Sequence, residues 1–257
     1  MKKILELKKT IVYGPVASRR LGESLGLNLL PGHEKLCSFD CVYCQYGWTA
    51  LHMPEASGSR VIPSPGEVGE ALENVLASLK KPPAYLTFSG NGEATIVKDF
   101  HLYVDAVLDV RDRLAPAAKT AILSNSSTVH RREIREPLAK LDYAIMKLDC
   151  GDEETFSRYN RPSPGVTLEG ITDGLTALSG ERPVTIQSLF AKGAHGNYNE
   201  RSLEGWLTRL KAIRPREVQI YTLHRGYPDP ALEALSEEEL MAIGKRAGQA
   251  GISIEVY

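Results

Sequence analysis

Apolar segments that suit buried strands alternate with amphipathic segments along most of this chain of 257 residues. The apolar segments predict six strands, and the segments between them have the periodicity of helices. The predicted strands are residues 24–30, 84–88, 120–123, 143–148, 184–190 and 218–223. Strands that alternate with helices form parallel βα units with right-handed crossovers. Six units are too few to close a TIM-type barrel, so we expect an α/β fold with an incomplete (β/α)6 partial barrel.

Local signals mark the ends of the predicted helices. Ser64, Pro65 and Glu67 begin one helix with a capping box and a proline in the first turn. A second capping box, Ser236 to Glu239, begins the last helix. The other predicted helices are residues 99–114, 130–138, 167–178 and 203–213, and we expect the helix at 167–178 to stop at Gly180.

No low-complexity segment or domain boundary interrupts the pattern, so we expect residues 1–257 to form a single domain. Residues 1–23 are predicted to be an extended N-terminal arm, and residues 31–50 a loop that carries three cysteines. The tail at 252–256 is predicted to add one short strand. The loop is the part of the sequence in which chemistry is concentrated.

Composition limits the class of protein. Apolar residues make up 42% of the chain and charged residues 25%, which is ordinary for a soluble globular protein. No segment approaches the roughly 18 apolar residues of a membrane span, and the start lacks the apolar stretch of a signal peptide. We therefore expect a cytoplasmic protein without a membrane partner. The net charge of −1 argues mildly against a dedicated nucleic-acid binder.

Three of the four cysteines, Cys37, Cys41 and Cys44, have the spacing C-x3-C-x2-C. Thiolates this close together can converge on one metal centre, and they suit iron–sulfur clusters or zinc. A closed zinc site or an ordinary [4Fe–4S] cluster takes four protein ligands, but no fourth cysteine lies nearby in sequence. The spacing thus predicts a metal centre with one open coordination position. Cys150 is expected to be buried and to point away from it.

This spacing, with the aromatic Tyr43 just before the last cysteine, resembles the signature of the radical S-adenosylmethionine (SAM) superfamily. The flanking residues 13–15, 18–20 and 45–47 resemble a small single-cluster branch of iron–sulfur oxidoreductases related to the wybutosine-synthesis radical SAM enzymes. In that superfamily, three cysteines hold a [4Fe–4S] cluster whose fourth iron chelates SAM. The resemblance therefore implies both cofactors, a radical SAM partial barrel, and an electron donor such as flavodoxin or ferredoxin.

The segment that follows the second predicted strand contains Gly90, Asn91, Gly92 and Glu93. Two glycines allow the backbone to approach a ligand closely, and the glutamate supplies a charge for a cation. At this place in the chain, the segment resembles the Gly-Gly-Glu motif that hydrogen-bonds the SAM amino group in the superfamily. An ordinary turn is the alternative.

Polar residues also follow the third and fourth predicted strands. Ser124 and Asn125 can bind a ribose hydroxyl or the SAM carboxylate, or can cap the next helix. Lys147 and Asp149 lie on the same face of a strand and are expected to pair with each other. In the superfamily a charged residue here often holds the SAM carboxylate or orients substrate. A buried structural ion pair is the alternative.

Further candidates come from the arm and from the second half of the chain. Guanidinium groups suit carboxylate or phosphate recognition, although a solvated surface role is the commoner one for arginine. Candidate contacts to the SAM carboxylate or to substrate are Arg19, Arg20, Arg161 and His224. Candidates for the adenosine or substrate pocket are Gln187 and Tyr221. For His224, a structural role is an equal alternative.

These features predict an enzyme that reductively cleaves SAM at a [4Fe–4S] cluster. The resulting 5′-deoxyadenosyl radical would abstract hydrogen from an unidentified substrate, which is a small molecule, a protein or an RNA. Alternatives within the superfamily are a glycyl-radical-type activating enzyme and a tRNA-modifying enzyme. The chain has no cysteine before Cys37, which argues against the two-cluster reaction of the archaeal wybutosine enzymes. Outside the radical SAM superfamily, the alternatives are a non-catalytic iron–sulfur carrier or sensor, and a zinc module completed by His33 or His52.

Overall fold

A computed structural model describes residues 3–18, 22–49, 51–52 and 62–257. The strands are β1 (Val12–Ser18), β2 (Gly22–Leu27), β3 (Leu36–Cys37), β4 (Leu51–His52), β5 (Tyr85–Phe88), β6 (Lys119–Ser124), β7 (Tyr143–Lys147), β8 (Val184–Leu189), β9 (Ala191–Gly193), β10 (Glu217–Tyr221), β11 (Leu232–Ala234) and β12 (Ile254–Val256). The helices are α1 (Pro65–Ser78), α2 (Phe100–Leu114), α3 (Arg132–Lys140), α4 (Glu153–Tyr159), α5 (Leu168–Glu181), α6 (Glu200–Ile213) and α7 (Glu237–Gln249), with a 3-10 turn at Ala94–Ile96. No helix in these ranges is long and apolar enough to span a membrane.

Eight strands form one sheet in the order β1-β2-β5-β6-β7-β8-β10-β12. From β2 to β12 the strands are parallel, whereas β1 pairs antiparallel with β2. The six predicted strands correspond to β2, β5, β6, β7, β8 and β10, and the predicted tail strand is β12. The predicted incomplete (β/α)6 partial barrel is therefore confirmed, with one additional strand at each edge.

The two faces of the sheet differ in chemistry. One face is apolar and packs on the helices, as where the ring of Phe88 meets that of Phe100 in α2 at 5.7 Å. On the other face, Lys147, Gln187 and Gln219 lie opposite one another in register. Because successive residues of a strand point to opposite faces, a polar inner face and an apolar outer face follow directly from the sequence pattern. The inner face and the strand ends above it contain the candidate site.

Both predicted capping boxes are present, at Ser64 with Glu67 and at Ser236 with Glu239. The predicted stop of α5 at Gly180 is wrong, because the helix continues to Glu181. An added methyl at Gly180 would meet no other atom within 4 Å. The last turn of α5 is therefore open at this position, and the helix continues through the glycine. Helix α4 was not predicted, since its seven residues are too few for a periodic signal.

Gly151 joins the end of β7 to α6 through direct backbone packing. A methyl group at this position would lie 2.0 Å from the backbone nitrogen of Trp206, a fully buried residue. We expect Gly151→Ala to lower the free energy of unfolding by about 1–3 kcal/mol, since neither backbone can move freely. Gly180→Ala is the matched control and should raise it by up to about 1 kcal/mol. Urea denaturation measures both, and an unchanged Gly151→Ala protein would contradict this packing.

Candidate metal centre and cofactor site

The cysteine loop connects β2 to α1 and is fastened to two other parts of the chain by its backbone. The Leu36 amide donates to the Asn91 carbonyl at 2.9 Å, and the Glu93 amide donates to the Leu36 carbonyl at 3.2 Å. On the other side, the Val42 amide donates to the carbonyl of Tyr159, the last residue of α4, at 3.0 Å. These bonds hold the three cysteines above the carboxyl ends of the parallel strands, where ligands bind in α/β folds.

Hydrogen-bond donors point at the cysteine sulfurs. The Phe39 amide and the Asn125 side chain each lie 3.5 Å from Cys37 Sγ. The Asn160 side chain lies 3.5 Å from Cys41 Sγ. Burial raises the pKa of the Cys37 and Cys41 thiols to about 12 each, so a bound metal must supply the charge that makes them thiolates. The N–H groups then stabilise sulfur atoms that carry negative charge, which fits an iron–sulfur cluster.

The zinc alternative needs His33 or His52 to complete the three cysteines. Within the described ranges, no three His, Cys, Asp or Glu side chains converge closely enough to hold a single metal ion. Zinc requires its thiolate ligands at about 2.3 Å from one centre, whereas the cysteines of a cluster are spread over several irons. His33 is 73% exposed beside Glu34, and the side chain of His52 lies outside the described residues.

The Glu93 carboxylate lies in a closed hydrogen-bonded corner between β5 and β6. Its Oε1 atom accepts from the Thr95 amide at 3.1 Å, the Thr95 hydroxyl at 2.7 Å and the Ser124 hydroxyl at 2.9 Å. Its Oε2 atom accepts from the Asn125 amide at 2.5 Å. Burial raises the pKa of this carboxyl, and the four donors oppose that effect. Glu93 therefore fixes the loop after β6 against the one after β5.

Ser124 and Asn125 consequently serve this corner rather than a helix. The capping alternative is wrong, because α3 begins only at Arg132 and has Arg131 at its N-cap position. Asn125 also donates to Ser38 Oγ at 2.9 Å, in addition to its contact with Cys37. Its side chain thus connects the loop after β6 directly to the cysteine loop.

The glycines of the predicted SAM motif are required by the protein itself. Gly90 and Gly92 have φ angles of +135° and +143°, which favour glycine. A methyl group on Gly92 would lie 1.7 Å from the Leu36 carbonyl oxygen. The close backbone approach therefore occurs between this motif and the strand that carries Cys37.

Asn91 differs from its predicted role, because its side chain faces the N-terminal arm. Its Oδ1 atom accepts from the Lys8 amide at 2.7 Å, and its Nδ2 atom donates to the carbonyls of Lys8 and Pro31, both at 2.8 Å. The residue is fully buried, so its amide is used in holding the arm. At the other end of the arm, the Leu5 amide donates to the Gln45 carbonyl of the cysteine loop at 2.8 Å.

We expect Asn91→Ala to release the arm locally. Two hydrogen bonds to Lys8 are lost, each worth about 1 kcal/mol, so exchange of the amide hydrogens of Leu5 and Lys8 should accelerate roughly thirtyfold. Hydrogen–deuterium exchange measures this, and the amides of α7 serve as the internal control. Unchanged exchange at both positions would show that Asn91 does not hold the arm.

Lys147 and Asp149 form the ion pair that alternation along the strand predicts. Lys147 Nζ lies 2.7 Å from Asp149 Oδ1, and the two side chains are 16% and 1% exposed. Asp149 also accepts from the Leu189 amide at 2.8 Å, from Asn160 at 2.9 Å and from the Tyr43 hydroxyl. The alternative of a buried structural ion pair accounts for these contacts, because Asp149 is bound by four groups of the protein.

Tyr43 is thereby held between the cysteine loop and the strand ends. Its ring packs 4.8 Å from that of Tyr159, and the Lys147 ammonium lies 5.3 Å from its centroid. Burial and the charge of Asp149 raise the pKa of the Tyr43 hydroxyl well above its usual range, so it stays a hydrogen-bond donor. The Tyr43 hydroxyl is therefore used in its hydrogen bond to Asp149.

Below this pair, a chain of hydrogen bonds crosses the inner face of the sheet. Lys147 Nζ donates to the Tyr221 hydroxyl at 3.2 Å, and that hydroxyl donates to Gln187 Oε1 at 3.2 Å. Gln187 in turn donates to Gln219 at 3.1 Å, and Gln219 donates to Glu217 at 2.8 Å. Gln187 and Tyr221 therefore belong to one connected network on the inner face, and their place in an adenosine or substrate pocket stays a prediction.

The remaining predicted residues are spread around the site. Arg161 pairs with the buried Asp40 of the cysteine loop at 3.4 Å and stacks on Trp48 at 4.8 Å. It therefore supports the loop rather than reaching the interior. His224 is exposed on the segment after β10. Arg19 and Arg20 lie outside the described residues.

Cys150 is fully buried, as predicted, and donates to Asn160 Oδ1 at 3.4 Å. Asn160 also reaches Cys41 and Asp149, and it was not predicted as a site residue. Lys35 was not predicted at all, although it is buried beside the cysteines. The signal that could have identified Lys35 was the position of a basic residue two places before the first cysteine.

The sequence has relatives among known proteins, although no family model matches it. UPF0026 proteins of Methanocaldococcus jannaschii and Helicobacter pylori are 34% and 32% identical to it, covering 83% and 90% of this chain. The matched parts are 63% and 71% of those proteins. A Brachyspira hyodysenteriae protein named GTPase Obg is 29% identical over 98% of this chain, but the match covers only 35% of that protein. The chain thus spans about one third of the Brachyspira protein and just under two thirds of the Methanocaldococcus protein.

Solved structures show the same fold at low sequence identity. A radical SAM methyltransferase from Sphaerobacter thermophilus matches with a TM-score of 0.65 and 14% identity, covering 91% of this chain and 65% of its own. TYW1 with a lysine-pyruvate adduct matches with a TM-score of 0.63 and 13% identity, covering 88% and 73%. Streptococcus suis SuiB bound to S-adenosylmethionine gives 0.59 and 14%, covering 90% and 50%. The chain therefore has the fold of these radical SAM enzymes, as the resemblance implied.

Proposed function

Because this chain belongs to the UPF0026 family and has the fold of radical SAM enzymes, we propose that it is itself a radical SAM enzyme. The observation that supports this most directly is the loop of Cys37, Cys41 and Cys44, whose donor-lined sulfurs are fastened above the strand ends. Cys150, the one other cysteine, bonds to Asn160 instead. Three protein ligands fit a [4Fe–4S] cluster that has an open iron for SAM.

When both cofactors are bound, they would supply a 5′-deoxyadenosyl radical that abstracts hydrogen from a substrate. The protein's own residues hold the cluster loop and shape the interior beneath it. Asn125 and Asn160 stabilise two of the three sulfurs, and the Tyr43–Asp149 contact fixes the loop against β7. The inner face below is lined by Lys147, Tyr221 and Gln187. The predicted SAM contacts at Gly90, Gly92 and Glu93 belong to this proposal.

The substrate is not specified by these features, and a small molecule, a protein and an RNA are all compatible with an open partial barrel. An electron donor such as flavodoxin or ferredoxin is part of the proposal, as is a cytoplasmic location. The sequence has no G-x4-G-K-S/T phosphate-binding motif, so the likeness to the protein named GTPase Obg gives no ground for proposing GTP hydrolysis.

Anaerobic reconstitution with iron and sulfide tests the proposal. We expect about four irons per chain, a change in the spectrum of the reduced cluster when SAM is added, and formation of 5′-deoxyadenosine from SAM under reducing conditions. A carrier or sensor would bind the cluster but would show neither response to SAM. Binding of zinc alone, without a cluster, would overturn the proposal.

A further inference from the structure

Lys35 is a buried cation in the cysteine loop. It is 8% exposed, and its ammonium donates to the Gly47 carbonyl at 2.8 Å. Within the ranges that the structure describes, no Asp or Glu lies within ion-pair distance of it. A buried ammonium that is not neutralised is costly, so a residue of this kind needs a source of negative charge nearby.

The cysteines are the nearest such source. Lys35 precedes Cys37 by two positions, and Gly47 follows Cys44 by three, so the ammonium connects the two ends of the cysteine segment. The Gly47 amide in turn donates to the Cys44 carbonyl at 2.9 Å. The buried ammonium therefore lies beside the backbone that carries the first and the last of the three predicted ligands.

A cluster at this position would need such a cation. Three thiolates bring more negative charge than an iron–sulfur core neutralises, and an added electron increases the excess. Net charge and hydrogen bonds at the sulfurs are among the factors that set the potential of a cluster. The donors from Phe39, Asn125 and Asn160 are neutral, so they supply no full positive charge, and the buried Lys35 can supply one.

We propose that Lys35 is the built-in counter-cation of the cluster, a positioning residue whose charge favours the reduced state and retention of the metal. This inference rests on the proposed [4Fe–4S] cluster. The competing role is purely structural, because the same ammonium shapes the loop by its hydrogen bond to Gly47. Charge and hydrogen bonding must therefore be separated.

Three variants separate them. Lys35→Arg keeps the charge and a donor, Lys35→Gln keeps a donor without the charge, and Lys35→Met keeps neither. Lys211→Gln, on the exposed side of α6, removes one surface charge as the matched control. Each protein is reconstituted anaerobically, and we measure iron per chain, the rate of iron loss to a chelator, and the midpoint potential by optical redox titration without SAM.

We expect Lys35→Arg and Lys211→Gln to keep the parent potential. Lys35→Gln and Lys35→Met should both shift it to more negative values and lose iron several-fold faster. Loss of the cluster in the Gln and Met variants but not in the Arg variant would also support the inference that the charge of Lys35 retains the metal. A Gln variant with the parent potential would overturn the inference, as would equal loss of iron in all three. An unaltered protein that binds no cluster would instead overturn the proposed function itself.

Discussion

Replacement of Cys41 by serine is expected to abolish cluster binding. A serine hydroxyl is a poor ligand for iron compared with a thiolate, and two remaining cysteines cannot hold the cluster stably. Iron per chain after anaerobic reconstitution should fall from about four to near zero, and the same loss is expected for Cys37→Ser and Cys44→Ser. Because Cys41 already receives a donor from Asn160, the loop itself should be only modestly disturbed.

Cys150→Ser is the matched control for this prediction. Cys150 is fully buried and contacts the same asparagine as Cys41, namely Asn160, but it should bind no iron. The variant is expected to keep the full iron content, since a hydroxyl can also donate to Asn160 Oδ1. If Cys150→Ser lost the cluster while Cys41→Ser kept it, the assignment of the three ligands would be wrong.

Asp149→Ala is expected to lower the free energy of unfolding by about 3–5 kcal/mol, because it leaves a buried lysine without its partner. The aspartate is 1% exposed and accepts from Lys147, Leu189, Asn160 and Tyr43. All four donors lose their acceptor together. Urea denaturation of the metal-free protein measures the effect without any contribution from a cofactor.

Lys147→Met should cost less, about 1.5–3 kcal/mol, which is typical of a lost hydrogen bond to a charged group. The carboxylate keeps three other donors after this change, whereas the lysine in Asp149→Ala keeps only the Tyr221 hydroxyl and the neighbouring rings. The double variant should cost less than the sum of the two singles. A larger loss for Lys147→Met than for Asp149→Ala would contradict this asymmetry.

The arrangement of strands and helices was predictable because periodicity and capping are local properties of the sequence. Each of the six predicted strands is present, and the capping boxes at Ser64 and Ser236 are formed. Elements with little local signal were missed: the seven-residue α4, the short pairs of β9 with β11 and β3 with β4, and β1, which lies within the predicted extended arm. Their positions are decided by tertiary contacts, which a single sequence does not display.

Within the site, the cysteines and the Lys147–Asp149 pair were predictable from spacing and alternation. The partners of these residues were not, because they come from distant parts of the chain. Asn125 reaches Cys37 across 88 positions, and Asn160 reaches Cys41 across 119. Asn91 illustrates the converse, since its place in a glycine-rich motif predicted a ligand contact, yet its amide binds the backbone of Lys8. Sequence identifies which groups are present, and the fold decides which of them meet.

The incomplete barrel leaves its sheet with two free margins, since β1 and β12 lie at opposite ends of the strand order among the described strands. Unpaired margins can template a strand from another molecule, which leads to self-association. Here β1 contains Pro15, which has no N–H to offer, and an irregular register between Tyr13 and Val16. At the other margin, β12 is only three residues long. Both margins therefore offer a second molecule little regular strand with which to pair.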